Sequence, residues 1–253
     1  MRFRKVSALL MCILVLEPAW SADFWLKKPY TSWSEQECKD LLMKSPWSLT
    51  YTDTSIYEPA TNMGSGNTTL TPGQQRGSLE PQTGEREVFL YFQFTLMRAK
   101  PIWMARGQMM LLKAPEAKSQ VEQMLNQPVG KEIVVQISYS SQPPGVSQIH
   151  DIQNFFRRAS LADFQGMTAL ASSDNKTVPI SAYVQPTERN PFPLLVFPRF
   201  DQSGQPYFTG KEKSITLRCE CKIPLASKEI AEPFRMTVKM EPKKMIFDNE
   251  FCM

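Results

Sequence analysis

Of the five cysteines, Cys12 lies in a predicted signal peptide, and the other four are the residues best suited to covalent or metal chemistry: Cys38, Cys219, Cys221 and Cys252. Their even number predicts two disulfides if the protein is exported to an oxidising compartment. On a strand, Cys219-Glu-Cys221 would place both thiols on one face, roughly 6.5 Å apart. That spacing disfavours a direct bridge, so we expect a partner such as Cys252. Buried free thiols and a four-thiolate zinc or copper site remain the alternatives.

Nucleophilic catalysis would depend on a single histidine, His150, which lies in a predicted helix. No Gly-x-Ser-x-Gly motif presents a serine, and no cysteine stands in a nucleophile signature. No glycine-rich loop joins a strand to a helix, as phosphate binding would need. We therefore predict no catalytic residue and no cofactor, although paired carboxylates of a hydrolase cannot be recognised by spacing.

An aromatic segment, "FWLKKPYTSWSEQECKDLLMKSPWS" from Phe24 to Ser48, is the main candidate for binding. Its rings could stack on sugars or hold a peptide, while Lys27 and Lys28 could attract anionic groups. The same rings could instead fasten this segment to the domain, and a helix-start signal beside Trp33 favours that interpretation. The candidate binding residues are Trp25, Tyr30, Trp33 and Trp47, of which Trp33 and Trp47 fit a structural clasp better.

The first residues predict a secretory signal peptide over 1–21. A basic start precedes an apolar run from Val6 to Leu16, and cleavage near Ser21 or Ala22 fits the small residues there. The run is too short to span a bilayer as a helix, and no later segment reaches that length. Removal of 1–21 leaves 26 basic and 24 acidic residues, so that the net charge is +2. This nearly neutral charge lacks the basic surface that nucleic-acid binding requires. We expect a secreted or periplasmic protein without a transmembrane segment.

Helices are predicted mainly in the first two thirds of the chain. Ser34 and Glu37 form a capping-box pattern, and Pro46 ends this first helix near Lys44. A strand over 47–53 follows, and residues 54–86 lack any periodicity and are rich in Gly, Pro and Thr, which predicts a flexible loop. The apolar stretch "EVFLYFQFTL" predicts a central strand. Further helices are predicted over 99–112, 116–126, 146–158 and 160–165, with a strand over 132–139.

The last third predicts short strands separated by turn residues: 168–172, 178–185, 194–197, 206–209, 214–221, 234–241 and 244–247. The sequence therefore predicts an α+β fold, with helices packed on a mainly antiparallel sheet and a C-terminal meander. We divide it into the signal peptide 1–21, an aromatic and helical segment 22–53, the loop 54–86 and the main domain 87–253.

Several patches resemble a group of uncharacterised secreted bacterial proteins: "FWLKKPYTSWSEQE…SPWS", "RAKPI", "IQNFFRRASLADFQGMTALASSDNKTVPISAYVQP" and "LLVFPRFDQSGQPYFT". The shared features are a front W-S-x-x-E…SPW block and an F-P-R segment. The chain is also distantly similar to GWxTD-domain proteins through Trp33 and Glu37. The resemblance implies export and a single α+β domain, and it implies no activity.

Together these observations predict a non-enzymatic binding or envelope-associated interaction module with a protein or glycan partner in the cell envelope. The alternatives are an exported hydrolase that uses paired carboxylates and a metal-thiolate protein built on Cys219 and Cys221.

Overall fold

The computed structural model describes residues 23–59, 85–225 and 233–253. The predicted signal peptide and residues 60–84 of the predicted loop lie outside the described residues.

Four α-helices are present in the described ranges, and all begin within the first two thirds of the chain as predicted. The Ser34 hydroxyl accepts a hydrogen bond from the Glu37 amide, and the Glu37 carboxylate accepts one from the Ser34 amide, so the predicted capping box starts the first helix. Pro101 occupies the first turn of the second helix, where its missing N–H has no partner to lose. The helices are α1 (Glu35–Met43), α2 (Lys100–Lys113), α3 (Lys118–Leu125) and α4 (Ser147–Arg158).

Eleven strands in the described residues complete the α+β fold, and every ladder among them is antiparallel. Short 3₁₀ helices cover Phe24–Leu26, Tyr30–Ser32, Pro115–Ala117, Leu161–Asp163 and Pro242–Met245. The strands are β1 (Ser48–Pro59), β2 (Glu85–Leu96), β3 (Glu132–Gln142), β4 (Ala169–Ser172), β5 (Thr177–Pro179), β6 (Ala182–Val184), β7 (Leu194–Pro198), β8 (Ile215–Lys222), β9 (Pro233–Met240), β10 (Ile246–Phe247) and β11 (Glu250–Phe251).

A five-stranded sheet of order β1-β2-β3-β7-β6 contains the predicted central strand β2 in its interior. Residues 88, 90, 92 and 94 of β2 are buried and point to one face, as the period of a strand requires. The β1–β2 pairing continues to Pro59 and Glu85. Both strands therefore extend into the segment 54–86 that the sequence assigned to a loop, because backbone pairing needs no apolar periodicity.

A four-stranded sheet of order β5-β4-β8-β9 and a β10–β11 hairpin complete the strands. The predicted strand 178–185 is two strands, because the chain leaves β5 after Pro179 and joins the first sheet as β6. The predicted strand 206–209 is reduced to one bridge between Phe200 and Pro206. The C-terminal strands are antiparallel as predicted, and they are divided among the two sheets and the hairpin.

The two main sheets enclose one hydrophobic core. Phe92 of β2 lies against Phe234 of β9 with ring centroids 5.9 Å apart, and Tyr183 of β6 stacks on Phe164 at 4.7 Å. In the ranges 23–59, 85–225 and 233–253, no helix has the length and apolar character required to cross a membrane.

Arg199, just after β7, links the start of β3 to Met253. Its guanidinium donates to the main-chain oxygens of Gly130, Glu132 and Met253. The side chain is half-buried, and its partners are main-chain oxygens. Since a planar fork matches several acceptors at fixed angles, arginine suits this position better than lysine.

Candidate functional site

The aromatic segment forms a continuous series of edge-to-face rings. Centroid distances are 6.5 Å for Tyr30–Trp33, 5.6 Å for Trp33–Phe24, 5.2 Å for Phe24–Trp25 and 5.8 Å for Trp25–Trp47. We call these five residues the ring series. Offset and edge-to-face contacts of this kind are the favoured geometry of aromatic pairs. The segment is thereby packed onto the domain as a unit.

Trp33 and Trp47 are structural residues and not surface binding residues. Their exposed fractions are 1% and 0%. The Trp33 indole donates to the main-chain oxygen of Lys28 at 3.2 Å, and the Trp47 indole donates to that of Cys252 at 2.7 Å. Both rings are therefore buried and their N–H groups have acceptors, which favours the clasp for Trp33 and Trp47 over a binding role.

Trp25 and Tyr30 line a cleft of about 1200 Å³, which we call the basic cleft. It lies between the two 3₁₀ turns of the aromatic segment, the residues after α1, and the segment from the end of β9 to the β10–β11 turn. Trp25 is largely buried, whereas Tyr30 is partly exposed. Leu49 and Met104 add apolar surface to the same cleft.

Lysine dominates the charge of the basic cleft. Lys28 pairs with Glu37 at 2.6 Å, and Lys244 pairs with Glu241 at 3.1 Å. In the described part of the chain, no ion pair or side-chain hydrogen bond involves Lys239 or Lys243, and both residues are exposed. The cleft has three acidic residues, Asp23, Glu241 and Asp248, against six lysines, Lys27, Lys28, Lys44, Lys239, Lys243 and Lys244.

The β10–β11 turn places two polar side chains at the cleft. Asp248 and Asn249 both have positive φ, 51° and 62°, as both central residues of a type I′ hairpin turn require. Asp and Asn tolerate this conformation better than other residues with a side chain. The Asp248 carboxylate binds the Lys100 ammonium at 2.8 Å, which fixes one side of the turn.

The four cysteines are buried free thiols, which corrects the expectation of two disulfides. Cys219 and Cys221 share one face of β8 as predicted, whereas Cys38 lies on α1 and Cys252 follows β11. The groups that influence them differ: Glu37 and Glu35 lie near Cys38, whereas Lys100, Glu250 and Asp248 lie near Cys252. Each thiol is packed as a small apolar group, the alternative considered above.

Neither metal binding nor thiolate chemistry is favoured by these surroundings. Burial, with a smaller effect of nearby Glu37, raises the pKa of Cys38 to about 11. A hydrogen bond with Cys219 and burial raise the pKa of Cys221 well above its usual value. Across the described ranges, no group of three or more His, Cys, Asp or Glu side chains could hold a metal ion.

The acid-base groups of interest are one histidine, four carboxyls with lowered pKa values and one pair of aspartates. His150 is exposed on α4. Wherever a described carboxyl has a resolved shift, its pKa is lowered, whereas a general acid needs a raised pKa. A smaller cavity of about 370 Å³ contains Asp151 and Asp163, but the Asp163 carboxylate caps Ser160 through its amide and hydroxyl.

Sequence reasoning located the first half of the cleft and missed the second. It singled out Trp25, Tyr30 and the adjacent Lys27-Lys28, and it did not include the lysines of "KMEPKKMIF". The Asp248-Asn249 pair is a hairpin-turn signal that could have placed this segment at a surface turn. Only the fold brings it beside the aromatic segment.

No protein-family model, curated protein or solved structure matches this chain.

Proposed function

We propose that the protein is an exported, non-enzymatic interaction module and that the basic cleft binds its partner in the cell envelope. The observation that carries the proposal is the convergence of six lysines with Trp25 and Tyr30 around one large open cleft. Clustered charge of one sign in a concave surface raises the local concentration of oppositely charged ligands. The partner is therefore anionic at the contact.

Two properties support a binding role over catalysis. The cleft has no histidine among its lining residues, and its lysines outnumber its carboxyls by six to three. Among the described residues, no side chain pairs with Lys239 or Lys243, so both ammonium groups are available to a ligand. Export and cleavage near Ser21 or Ala22 remain part of the proposal because the basic start and the apolar run support them.

Photo-crosslinking in cells that naturally produce the protein tests the cleft directly. A photoreactive amino acid at position 30 should give adducts, whereas the same group at the exposed position Lys131, outside the cleft, should not. In a second experiment, Lys239→Glu with Lys243→Glu should remove the position-30 adducts.

A matched variant, Lys131→Glu with Lys213→Glu, reverses the same number of exposed charges elsewhere and should leave the adducts unchanged. Equal adducts at positions 30 and 131, or equal effects of the two double variants, would contradict a partner site in the cleft.

A further inference from the structure

We propose that the ligand of the basic cleft is an anionic glycan, that is, a sugar chain with spaced carboxylate or phosphate groups. This inference rests on the proposed function, since it names the chemical class of the partner. It follows from three properties of the cleft: the kind of cation, the mixture of acceptors and donors, and the size and openness of the space.

The cations are all lysines, and they come from different parts of the chain. Lys27 lies beside the first 3₁₀ turn, Lys44 follows α1, and Lys239 lies on β9. A lysine ammonium is a point charge on a flexible stem that can reach a carboxylate or phosphate from several directions. The positive charges therefore surround the cleft, and a ligand with charges at intervals can meet several of them.

Acidic and amide side chains share the cleft with these lysines. Asp23, Glu241 and Asn249 all line it. A densely charged polyanion would be repelled by the carboxylates, whereas sugar hydroxyl groups can donate hydrogen bonds to them. The partly exposed ring of Tyr30 supplies an apolar surface on which the face of a sugar can pack. This mixture fits a polyhydroxylated ligand with a limited number of anionic groups.

The size of the cleft favours a chain over a single small molecule. Its volume of about 1200 Å³ exceeds the range of roughly 300 to 1,000 Å³ that is usual for drug-sized ligands. Its lysines line an open surface, whereas an acyl chain would need an enclosed apolar pocket. Several sugar units in an extended chain can occupy such a space without complete removal of water.

The experiment compares ligands by isothermal titration calorimetry with the mature chain. The probes are an oligouronate, a phosphorylated glucose oligomer, an uncharged glucose oligomer of equal length, and an oligoglutamate of equal charge. We expect one of the two anionic sugars to bind at least about tenfold more tightly than the uncharged sugar and the oligoglutamate. Whether the oligouronate or the phosphorylated oligomer binds more tightly identifies the anionic group.

Two variants connect this binding to the cleft. Lys239→Glu with Lys243→Glu should weaken the anionic sugar by about tenfold or more, whereas Lys131→Glu with Lys213→Glu should leave its affinity unchanged. Tyr30→Ala should weaken the sugar and leave the weak binding of oligoglutamate unchanged, because only the sugar uses the ring. The charge variants change exposed residues, so they keep the test valid if Tyr30→Ala does not fold.

Equal affinity for oligoglutamate and the anionic sugars would overturn the glycan inference, as would the absence of binding by both anionic sugars. The proposed function would survive either result if cleft-specific crosslinks persist in cells. If the protein with its native lysines gave no cleft-specific crosslinks, the proposed function itself would be wrong.

Discussion

At the scale of single residues, a buried carboxylate shows how a polar group organises a turn. Glu212 is only 2% exposed, and its carboxylate accepts hydrogen bonds from the amides of Thr209 and Gly210 and from the Thr209 hydroxyl. Burial opposes its ionisation, but these hydrogen bonds outweigh burial and lower the pKa of Glu212. The Thr209 amide is thereby engaged outside a strand ladder, which explains the absence of the predicted strand over 206–209.

Glu212→Gln should lower the free energy of unfolding at pH 7 by about 1.5–3 kcal/mol, because charge-assisted hydrogen bonds are lost. Since the folded pKa lies below the unfolded value, this contribution is complete above about pH 4.5 and disappears as the pH falls through the folded pKa. Denaturant unfolding of both proteins at pH 7 and at pH 3 measures the change.

The exposed residue Glu116 provides the control, and Glu116→Gln should have little effect at either pH. A stability difference for Glu212→Gln that does not shrink at pH 3 would contradict the role assigned to the ionised carboxylate.

Gly210, two residues before Glu212, shows a second local constraint. Its φ is +85°, and an added Cβ would lie 2.9 Å from the Phe251 ring. The turn therefore requires glycine both for its backbone conformation and for the close approach of the C-terminal segment.

At the scale of elements, α1 was predictable because its signals are local. The capping box and Pro46 lie within or next to the helix, so its start and end follow from neighbouring residues. The break between β5 and β6 was not predictable in the same way. Alternation of side chains shows that a segment is extended, but it does not show which sheet supplies the hydrogen-bond partner.

The same distinction holds for the candidate site. Trp25 and Tyr30 stood out because aromatic residues are concentrated in one short segment, and their place in the cleft agrees with that signal. Lys239 and Lys243 are separated from them by some two hundred residues. Their contribution depends on how β9 and the following turn lie beside the aromatic segment, which is a property of the tertiary structure.

Trp33→Ala should reduce the free energy of unfolding by about 3–5 kcal/mol, as for other buried aromatic residues. The loss includes the contacts with Phe24 and Tyr30 and the hydrogen bond to Lys28. Trp33→Phe keeps a ring and should cost clearly less. Equilibrium unfolding in guanidinium, with the midpoint and slope reported separately, measures both effects.

Leu26 provides the control. It is 58% exposed in the same segment, and Leu26→Ala should change the free energy of unfolding little. If Trp33→Ala behaved like Leu26→Ala, the ring series would not be a structural clasp.

At the scale of the whole molecule, four thiols are protected by one core. The disulfide prediction used only their even number and the oxidising compartment. Pairing also requires that two thiols lie close together in the fold, which the spacing of cysteines along the chain does not show. In the fold, Cys38 lies on α1, the Cys219–Cys221 pair lies on β8, and Cys252 follows β11. If the protein is exported as we propose, burial keeps these thiols reduced, since a thiol that an oxidant cannot reach reacts slowly.

Intact mass spectrometry of the exported protein, denatured without reductant, should give the mass of a chain that begins near residue 22 with four free thiols. A thiol-reactive dye should label the native protein slowly and all four thiols quickly in guanidinium, because labelling requires opening of the core.

In the mass measurement, a value about 4 Da lower would show two disulfides and contradict the free-thiol state. A chain that retains residues 1–21 would contradict export by signal cleavage.

The ring series also gives the molecule an optical signature. Trp25 and Trp47 lie with centroids 5.8 Å apart and planes inclined by 72°, close enough for their electronic transitions to couple. Such coupled indoles produce paired circular-dichroism bands of opposite sign that vanish when the rings separate. Trp103 lies outside the ring series, so the paired bands report attachment of the N-terminal segment independently of the rest of the fold. Because Trp25 also lines the basic cleft, we expect a ligand that moves its ring to change these bands.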